Sequence, residues 1–348
     1  MTAPPHRWVA DPRIGWRILL TATLSEPVAP DALAAPLAAL CGAQGWAYEA
    51  PRLAGDRDLL ADSPVPLLVG VDGNDVVLSA HHSAVDGLGL LTVLDRLGLG
   101  PATSSARGTG PRTTTGGLAR TVARRLAEVT LRPPSGVVPP DRPVADRGDV
   151  LVSATVPGSH RTAELVHAAA RAVVRHQEER GRPARHVAIA IGATRDPRPD
   201  APPDHDEGRI EGRIEGRIED RSVLLRLRDV ERLDLDAIRA AIRTAPLQTP
   251  PAPAERRPWS PALDRATTTG LRLLGPRLGS TLLVSHLGEV TAPAVERLAF
   301  HPVTAGGTGL SLGAAGLGGR TVLTLRGRAT TWNDDGLEQL LEAVISLL

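Results

Sequence analysis

The sequence predicts a mixed α/β (α+β) protein built from two sandwich-like lobes. Three observations carry this. The chain has 348 residues, and beyond about 250–300 residues a single hydrophobic core stops growing. Strand-like apolar runs and helical patterns are interspersed in both halves of the sequence, which is the pattern of packed α/β layers. Between the halves lies RPPSGVVPPDRPVADRGD, whose prolines can continue neither a helix nor a central strand. The expected division is an N-terminal lobe over 1–132, a Pro-rich linker over 133–148 and a C-terminal lobe over 149–348.

The elements follow in order. GWRILLTATL reads as a strand, and the apolar spacing from Asp31 to Cys41 as a helix. PVPLLVGV and DVVLSAHH are apolar runs joined by DGND, a hairpin signal because Asp-Gly supplies the turn geometry. A helix is expected after Asp86, through about Leu97. Residues 99 to 117 are rich in Gly, Thr, Ser and Pro and read as a loop, and LARTVARRLAEVTL as a basic amphipathic helix with a solvated face. In the second half VLVSATVP is a strand, TAELVHAAARAVVRHQEERG a long helix ending at Gly181, and HVAIAIGATR a strand. SVLLRLRDV, STLLVSHLG and GRTVLTLRGRAT are further strands, and NDDGLEQLLEAVISLL is a closing helix capped by Asn333. The four-residue repeat EGRIEGRIEGRIED is too short in period for a solenoid unit. Its regular glycines weaken a helix, so it is expected to form a long exposed loop.

Composition excludes several chemistries. Aromatic residues make up 2% of the chain and apolar residues 42%, so aliphatic side chains must fill the core. The net charge of +1 gives no reason to expect nucleic acid or an acidic membrane as partner. Lysine is absent, which rules out a Walker A lysine, a lysine aldimine and a Ser-Lys dyad. The single cysteine, Cys41, reads as core filler. With no internal disulfide available, a reducing compartment is expected. No apolar run approaches the roughly 20 residues of a bilayer span, and the N-terminal residues lack a signal pattern. A soluble, cytoplasmic protein is the expectation.

The stretch least like background is HHSAVDG, His81 to Gly87. On a strand, His81 and His82 point to opposite faces, so they do not converge on one ion, and no HExxH or thiolate set completes a metal site. GLSLG, Gly309 to Gly313, matches the nucleophile-elbow pattern, but no histidine follows Ser311 in the chain, and the strand-then-helix context is missing. GAAGLGG runs into a strand, so it is no dinucleotide loop. Two readings stay open. His82, at a strand end, can serve as a lone general base, with an ordinary pKa near ~6.5 suited to proton removal at neutral pH. Alternatively, His82 is a satisfied core histidine and Asp86 merely caps the next helix.

HHSAVDG fits H-H-x-x-x-D-G in full. It resembles the signature of the acyltransferase superfamily that includes chloramphenicol acetyltransferase, nonribosomal peptide condensation domains, polyketide-associated acyltransferases and wax ester synthases. TAELVHAAARAVVRHQEERGRPARHVAIAIGATR looks like the helix and strand that open that family's second lobe. TLLVSHLGEV is similar to its Ser-Asn-x-Gly strand, with His286 standing where many relatives carry Asn. GLSLGAAGLGGRTVLTLRGRATTWNDDGLEQLLEAV looks like its closing strands and helix. The resemblance implies a pseudo-dimer of two chloramphenicol-acetyltransferase-like lobes with a central tunnel. It implies His82 as the base, supported by His81, and Asp86 as a structural carboxylate paired with an arginine, for which Arg195 is the candidate. It implies that Gly87 permits a tight turn. Ser311, Thr308 (in a glycine-rich turn) and Ser285 are candidates for oxyanion or substrate contacts. No bound cofactor or metal is expected. The acyl donor, carried by coenzyme A or a phosphopantetheine arm, is a substrate. The partners implied are a small-molecule acceptor and an acyl or peptidyl carrier protein. The function expected is acyl transfer from a thioester to a hydroxyl or amine, giving an ester or amide in specialised metabolism. The rival expectation is a degenerate relative that binds a carrier protein or ligand without chemistry.

Overall fold

The computed structural model describes residues 16–61, 63–106, 108–109, 112, 128, 130–139, 148–195, 218, 221–247, 279–304 and 308–348. The chain begins with β1 (Arg17–Leu24), α1 (Pro30–Gln44) and the two-residue β2 (Arg52–Leu53). β3 (Leu67–Asp72) and β4 (Asp75–His81) form the expected hairpin, with Gly73 at φ +60° in its turn. α2 (Gly87–Arg96) and β5 (Thr103–Ser104) follow. The second half contains β6 (Asp149–Pro157), α3 (Thr162–Glu178), β7 (Ile189–Thr194), β8 (Ser222–Leu227) and α4 (Leu235–Thr244). It closes with β9 (Leu282–Thr291), β10 (Val295–His301), β11 (Leu310–Leu317), β12 (Arg320–Arg328) and α5 (Asp334–Ile345). Asn333 caps α5 by accepting from Gly336 N at 2.9 Å, as its side chain predicts.

Two sheets result. The first has the order β10-β1-β4-β3-β2, and the second β6-β12-β11-β9-β7-β8, with β5 paired to β9. In the first lobe Val76, Leu78 and Ala80 of β4 pack with Leu33, Leu37 and Cys41 of α1 and with Leu90 and Leu94 of α2. The opposite face of β4 carries Val77 into a smaller cluster with Leu19, Leu59 and Leu68, so both faces are buried. Cys41 is buried and free, a core filler as expected. In the second lobe α3 and α5 cover the sheet through Leu165, Val166, Val173, Leu337, Leu340 and Leu341.

The lobes do not divide cleanly at the proline-rich segment. β10, from the C-terminal half, joins the first sheet antiparallel to β1, while β5 from the N-terminal half pairs with β9. Each sheet therefore takes a strand from the half of the chain on the far side of residues 133–148. Its described residues 133–139 lie along α3: Gln177 Nε2 donates to the Gly136 carbonyl at 2.8 Å and Gln177 Oε1 accepts from Val138 N at 3.0 Å. They are packed chain, not a free tether.

β10 reaches the first sheet by pressing on β11. A Cβ on Gly313 would collide with the Phe300 carbonyl oxygen, so only glycine permits the crossing at that point. Behind it Arg326 is fully buried. Its Nε and Nη2 donate to Asp149 Oδ2 at 2.8 and 2.5 Å, and its Nη1 to the carbonyls of Arg17 at 2.7 Å and Pro302 at 3.2 Å. A buried guanidinium is tolerable only when so fully partnered, and these partners come from both sheets and the segment between them.

β10, β11 and α4 are elements that the residue pattern by itself does not mark. Thr308 and Gly309, which the pattern presents as part of a glycine-rich turn, lead directly into β11, and Ser311 sits inside that strand. Of the basic segment LARTVARRLAEVTL, only Glu128, Thr130 and Leu131 are among the described residues, and of the repeat EGRIEGRIEGRIED only Ile218 is. The expectations for both segments otherwise lie outside them. No helix among the described residues is long and apolar enough to cross a membrane.

Candidate active site

The HHSAVDG segment leaves β4 and enters α2 through one turn. His81 N donates to the Pro66 carbonyl at 2.8 Å and His82 N to the Trp16 carbonyl at 2.7 Å, which holds both histidines at the strand end. Ala84 N and Val85 N then return to the His81 carbonyl at 2.9 and 3.3 Å, closing the turn. Asp86 is the N-cap of α2, with extended backbone at φ −92° and ψ 179°. Its Oδ1 accepts from Gly89 N at 2.7 Å and its Oδ2 from Arg221 N at 3.3 Å. Asp86 is 4% exposed, and its carboxylate ties the turn to the residue that precedes β8 in the second lobe.

His82 lines a cavity of about 420 Å³ between the lobes. Its Nδ1 lies 3.3 Å from the Val85 carbonyl. A carbonyl can only accept, so Nδ1 carries the proton and Nε2 keeps its lone pair. His81 points elsewhere: its Nδ1 accepts from Ser83 N at 3.3 Å and meets Ser83 Oγ at 2.7 Å, and it is not part of the cavity wall. Gly87 does not have a positive φ. A Cβ there would sit 2.8 Å from Leu287 Cδ2 and 3.0 Å from Phe300 Cζ. Close packing of the start of α2 against β9 and β10, rather than a turn that needs glycine, explains this residue.

Apolar side chains in the cavity wall include Trp16, Ile18, Leu88, Leu287, Phe300 and Val303. Phe300 is the chain's one phenylalanine. The polar side chains include Ser285, His286, Thr162, Arg161 and Arg112. Ser285 stacks its hydroxyl over Gly192, where a Cβ would lie 2.9 Å from Ser285 Oγ. Nδ1 of His286 is 3.3 Å from Thr162 Oγ1. Burial, reinforced by nearby His160 and only partly offset by Glu164, pushes the His286 pKa down to about 4.

The other expected residues fall outside this cavity. Ser311 is fully buried and its Oγ donates to the Pro302 carbonyl at 3.2 Å. Thr308 Oγ1 donates to the Thr281 carbonyl at 2.6 Å. Neither lines the cavity, so neither hydroxyl is placed to stabilise an oxyanion there; of the three candidates only Ser285 lines it. Arg195 follows β7 as an exposed residue and bridges to Thr109. Its backbone N donates to the Arg221 carbonyl at 3.0 Å, and Arg221 N in turn reaches Asp86. The structure thus brings Arg195 and Asp86 to the same residue. Trp16, Arg112, the adjacent pair Arg161 and Thr162, and Phe300 are lining residues that the sequence does not announce, because they come from four separate parts of the chain and no local motif marks them.

Among the described residues, one trio has metal-ligating spacing: His186, Asp229 and Glu231. It is not part of the cavity wall. Its groups are already engaged, Glu231 with the backbone N–H groups of His186 and Val187, and Asp229 with His186 Nδ1 and Arg132.

No protein-family model matches the chain and no curated protein sequence matches it. Solved structures do. The first condensation domain of the calcium-dependent antibiotic synthetase, in complex with a substrate analogue, superimposes with a TM-score of 0.52 at 15% identity, over 97% of this chain and 91% of that one. A second structure of that domain, with another substrate analogue, gives 0.50 at 17% identity, over 97% and 92%. Polyketide synthase associated protein 5 from Mycobacterium tuberculosis gives 0.50 at 14% identity, over 97% and 94%. The chain has the two-lobed α/β fold of condensation domains, as the sequence resemblance implies.

Proposed function

We propose that this protein is an acyltransferase that moves an acyl group from a thioester to a hydroxyl or amine, forming an ester or amide. The observation that carries this reading is His82: a histidine on the cavity wall whose Nδ1 proton is held by the Val85 carbonyl, leaving Nε2 as the basic nitrogen. In the reaction the acceptor O–H or N–H gives its proton to Nε2 as the oxygen or nitrogen attacks the thioester carbon. The tetrahedral intermediate then collapses, the C–S bond breaks, and the imidazolium returns the proton to the leaving thiolate. No protein nucleophile is needed, because the donor is already activated.

Ser285 is the proposed donor to the developing oxyanion, since it lines the cavity. Asp86 acts through the backbone: it holds the turn that carries His82, with Arg195 as the proposed ion-pair partner. The apolar side chains of the wall suit an apolar acyl chain. The donor arm is that of coenzyme A or a carrier protein, the acceptor is a small molecule, and the setting is specialised metabolism in the cytoplasm.

The test is turnover of short acyl thioesters of coenzyme A and N-acetylcysteamine with a panel of amine and alcohol acceptors. His82→Ala should lower the rate by about 10²–10⁴-fold, the usual share of general-base catalysis, with the fold intact. A His82→Ala protein as active as the wild type would eliminate the mechanism.

A further inference from the structure

Apart from its histidines, the titratable side chains on the described cavity wall are Asp86, Arg112 and Arg161. Asp86 is already engaged: it is 4% exposed, and its two oxygens accept from the N–H groups of Gly89 and Arg221. The arginines have no such partner. Arg112 is half-buried, and its Nη1 donates to the carbonyls of Ile242 at 2.6 Å and Ala245 at 3.5 Å. Arg161 is exposed. The carboxylate nearest it in sequence, Glu164, accepts from its backbone N at 3.0 Å and pairs with Arg239 at 3.3 Å. Among the described residues neither guanidinium forms an ion pair.

Both arginines border α4. Arg239, which reaches Glu164, and Ile242, whose carbonyl Arg112 holds, are about one turn apart on that helix. Ile242 is itself part of the wall. A cation half shielded from water without a counter-charge is costly, and two cations on one wall repel each other. A bound anion relieves both costs. The bonding of Arg112 narrows its kind. With Nη1 committed to two carbonyls, the guanidinium keeps its Nε–H and Nη2–H edge, a fork that matches the paired oxygens of a carboxylate. The arginines are fixed to α3 and α4 of the second lobe, whereas His82 stands at the end of β4 in the first. The anion is therefore a part of the substrate distinct from the group that reacts.

We propose that Arg112 and Arg161 form a subsite that selects a substrate bearing a carboxylate away from its reacting atom, on either the acceptor or the acyl chain. This rests on the acyltransferase reading above and deepens it by naming the substrate class. The arginines bind and select, and the proton transfer stays with His82.

Two pairs of probes separate the sources. 6-Hydroxyhexanoate and 6-hydroxyhexanamide stand for the acceptor, and the thioether S-(4-carboxybutyl)-N-acetylcysteamine and its carboxamide stand for the acyl chain. Affinities are measured by calorimetry for the wild type, Arg112→Gln, Arg112→Lys and Arg161→Gln, alongside thermal melts of each. In one pair the carboxylate should bind the wild type about ten- to a hundredfold more tightly than its amide, the worth of a hydrogen bond to a charged group. That pair names the source. Arg112→Gln and Arg161→Gln should each cut the ratio severalfold, and Arg112→Lys, which keeps the charge without the fork, should restore part of it. General damage to the fold cancels in the ratio. No preference for the carboxylate in either pair, or a ratio unchanged in either Gln variant while only its melting temperature falls, would overturn the proposal. So would Gln variants that weaken S-butyl-coenzyme A relative to S-butyl-N-acetylcysteamine and leave both carboxylate ratios alone, because the arginines would then serve phosphates. If Arg112→Gln does not fold, Arg112→Lys and Arg161→Gln decide. A carboxylate preference that follows these expectations in a protein that turns over no thioester would overturn the acyltransferase reading and leave the subsite standing.

Discussion

His82 Nδ1 is held by the carbonyl of Val85, 3.3 Å away and three residues on in the same turn, and not by the carboxylate of Asp86. The His82 imidazole is oriented by the backbone of its own loop. Asp86 instead directs its two oxygens to the N–H groups of Gly89 and Arg221. The division of labour between these neighbours leads to distinguishable mutants.

Asp86→Asn keeps one acceptor oxygen, so the helix cap survives while the bond from Arg221 N is lost. It should destabilise the protein by about 1–2 kcal/mol, and Asp86→Ala, which loses both bonds, by about 2–4 kcal/mol. If Arg195 is the ion-pair partner, Arg195→Ala combined with Asp86→Asn should cost clearly less than the two single changes added together. Full additivity in denaturant melts would break that pairing. Lost turnover with unchanged stability in Asp86→Asn would return the carboxylate to the catalytic machinery.

His81→Ala should reduce turnover far less than His82→Ala. The His81 ring bonds Ser83 and stays off the cavity wall, so its loss removes a local hydrogen bond worth about 1 kcal/mol and no reacting group. Equal rate losses in the two variants would contradict the placement of only one ring in the cavity.

Acidification should weaken the fold as its buried neutral histidines are exposed to protonation. Histidines in an unfolded chain titrate near ~6.5, whereas burial holds His286 down to about 4 and His301, which also faces Arg326 and Arg297, down to about 3. Between those values the unfolded state binds more protons than the folded state. Stability is therefore full above about pH 6.5 and falls as the pH drops, by up to ~1.4 kcal/mol per pH unit for each histidine. Urea melts between about pH 7 and about pH 5 would show the slope. His301→Gln should reduce it, and an unchanged slope would count against a buried neutral ring.

Gly313→Ala should be among the most damaging single-methyl changes in the chain. The added carbon would meet the Phe300 carbonyl oxygen, Thr324 Oγ1 at 2.5 Å and Pro302 Cδ at 2.7 Å. Overpacking against backbone on this scale should cost about 3 kcal/mol, read as a fall in melting temperature or a failure to fold. Gly42→Ala in α1 is the control. Nothing lies within 4 Å of the position its Cβ would take, and alanine there should be neutral or stabilise by up to about 1 kcal/mol.

The fold is legible in the sequence wherever the signal is local. The β3–β4 hairpin announces itself through Asp-Gly, the α5 start through Asn333, and the turn after His82 through Asp86; each is a short-range device whose partners lie within a few residues. β11 is obscure for the opposite reason. Its glycines serve close approach, Gly313 against Phe300 and Gly316 against Glu289, and that need is visible only once distant strands are brought together. The turn glycines are the next pair, Gly318 and Gly319, both at positive φ, a two-residue hairpin in which such angles are required. The same ambiguity of glycine makes Ser311 and Thr308 look like turn residues available to a ligand. His286 stands out in the sequence only as a residue out of pattern; its burial and its contact with Thr162 come from a strand and a helix far apart in the chain.

The passage of β10 into the first sheet also sets an order of events for a chain being synthesised. β1 emerges early and pairs with β4 soon after, but its other edge waits for residues Val295–His301. During that interval it presents an open strand edge, the kind of surface that recruits other chains. Pairing partners separated by most of the sequence also make for slow closure. A truncated product ending near residue 132 would keep that edge permanently open, and should aggregate rather than persist as a stable half-molecule.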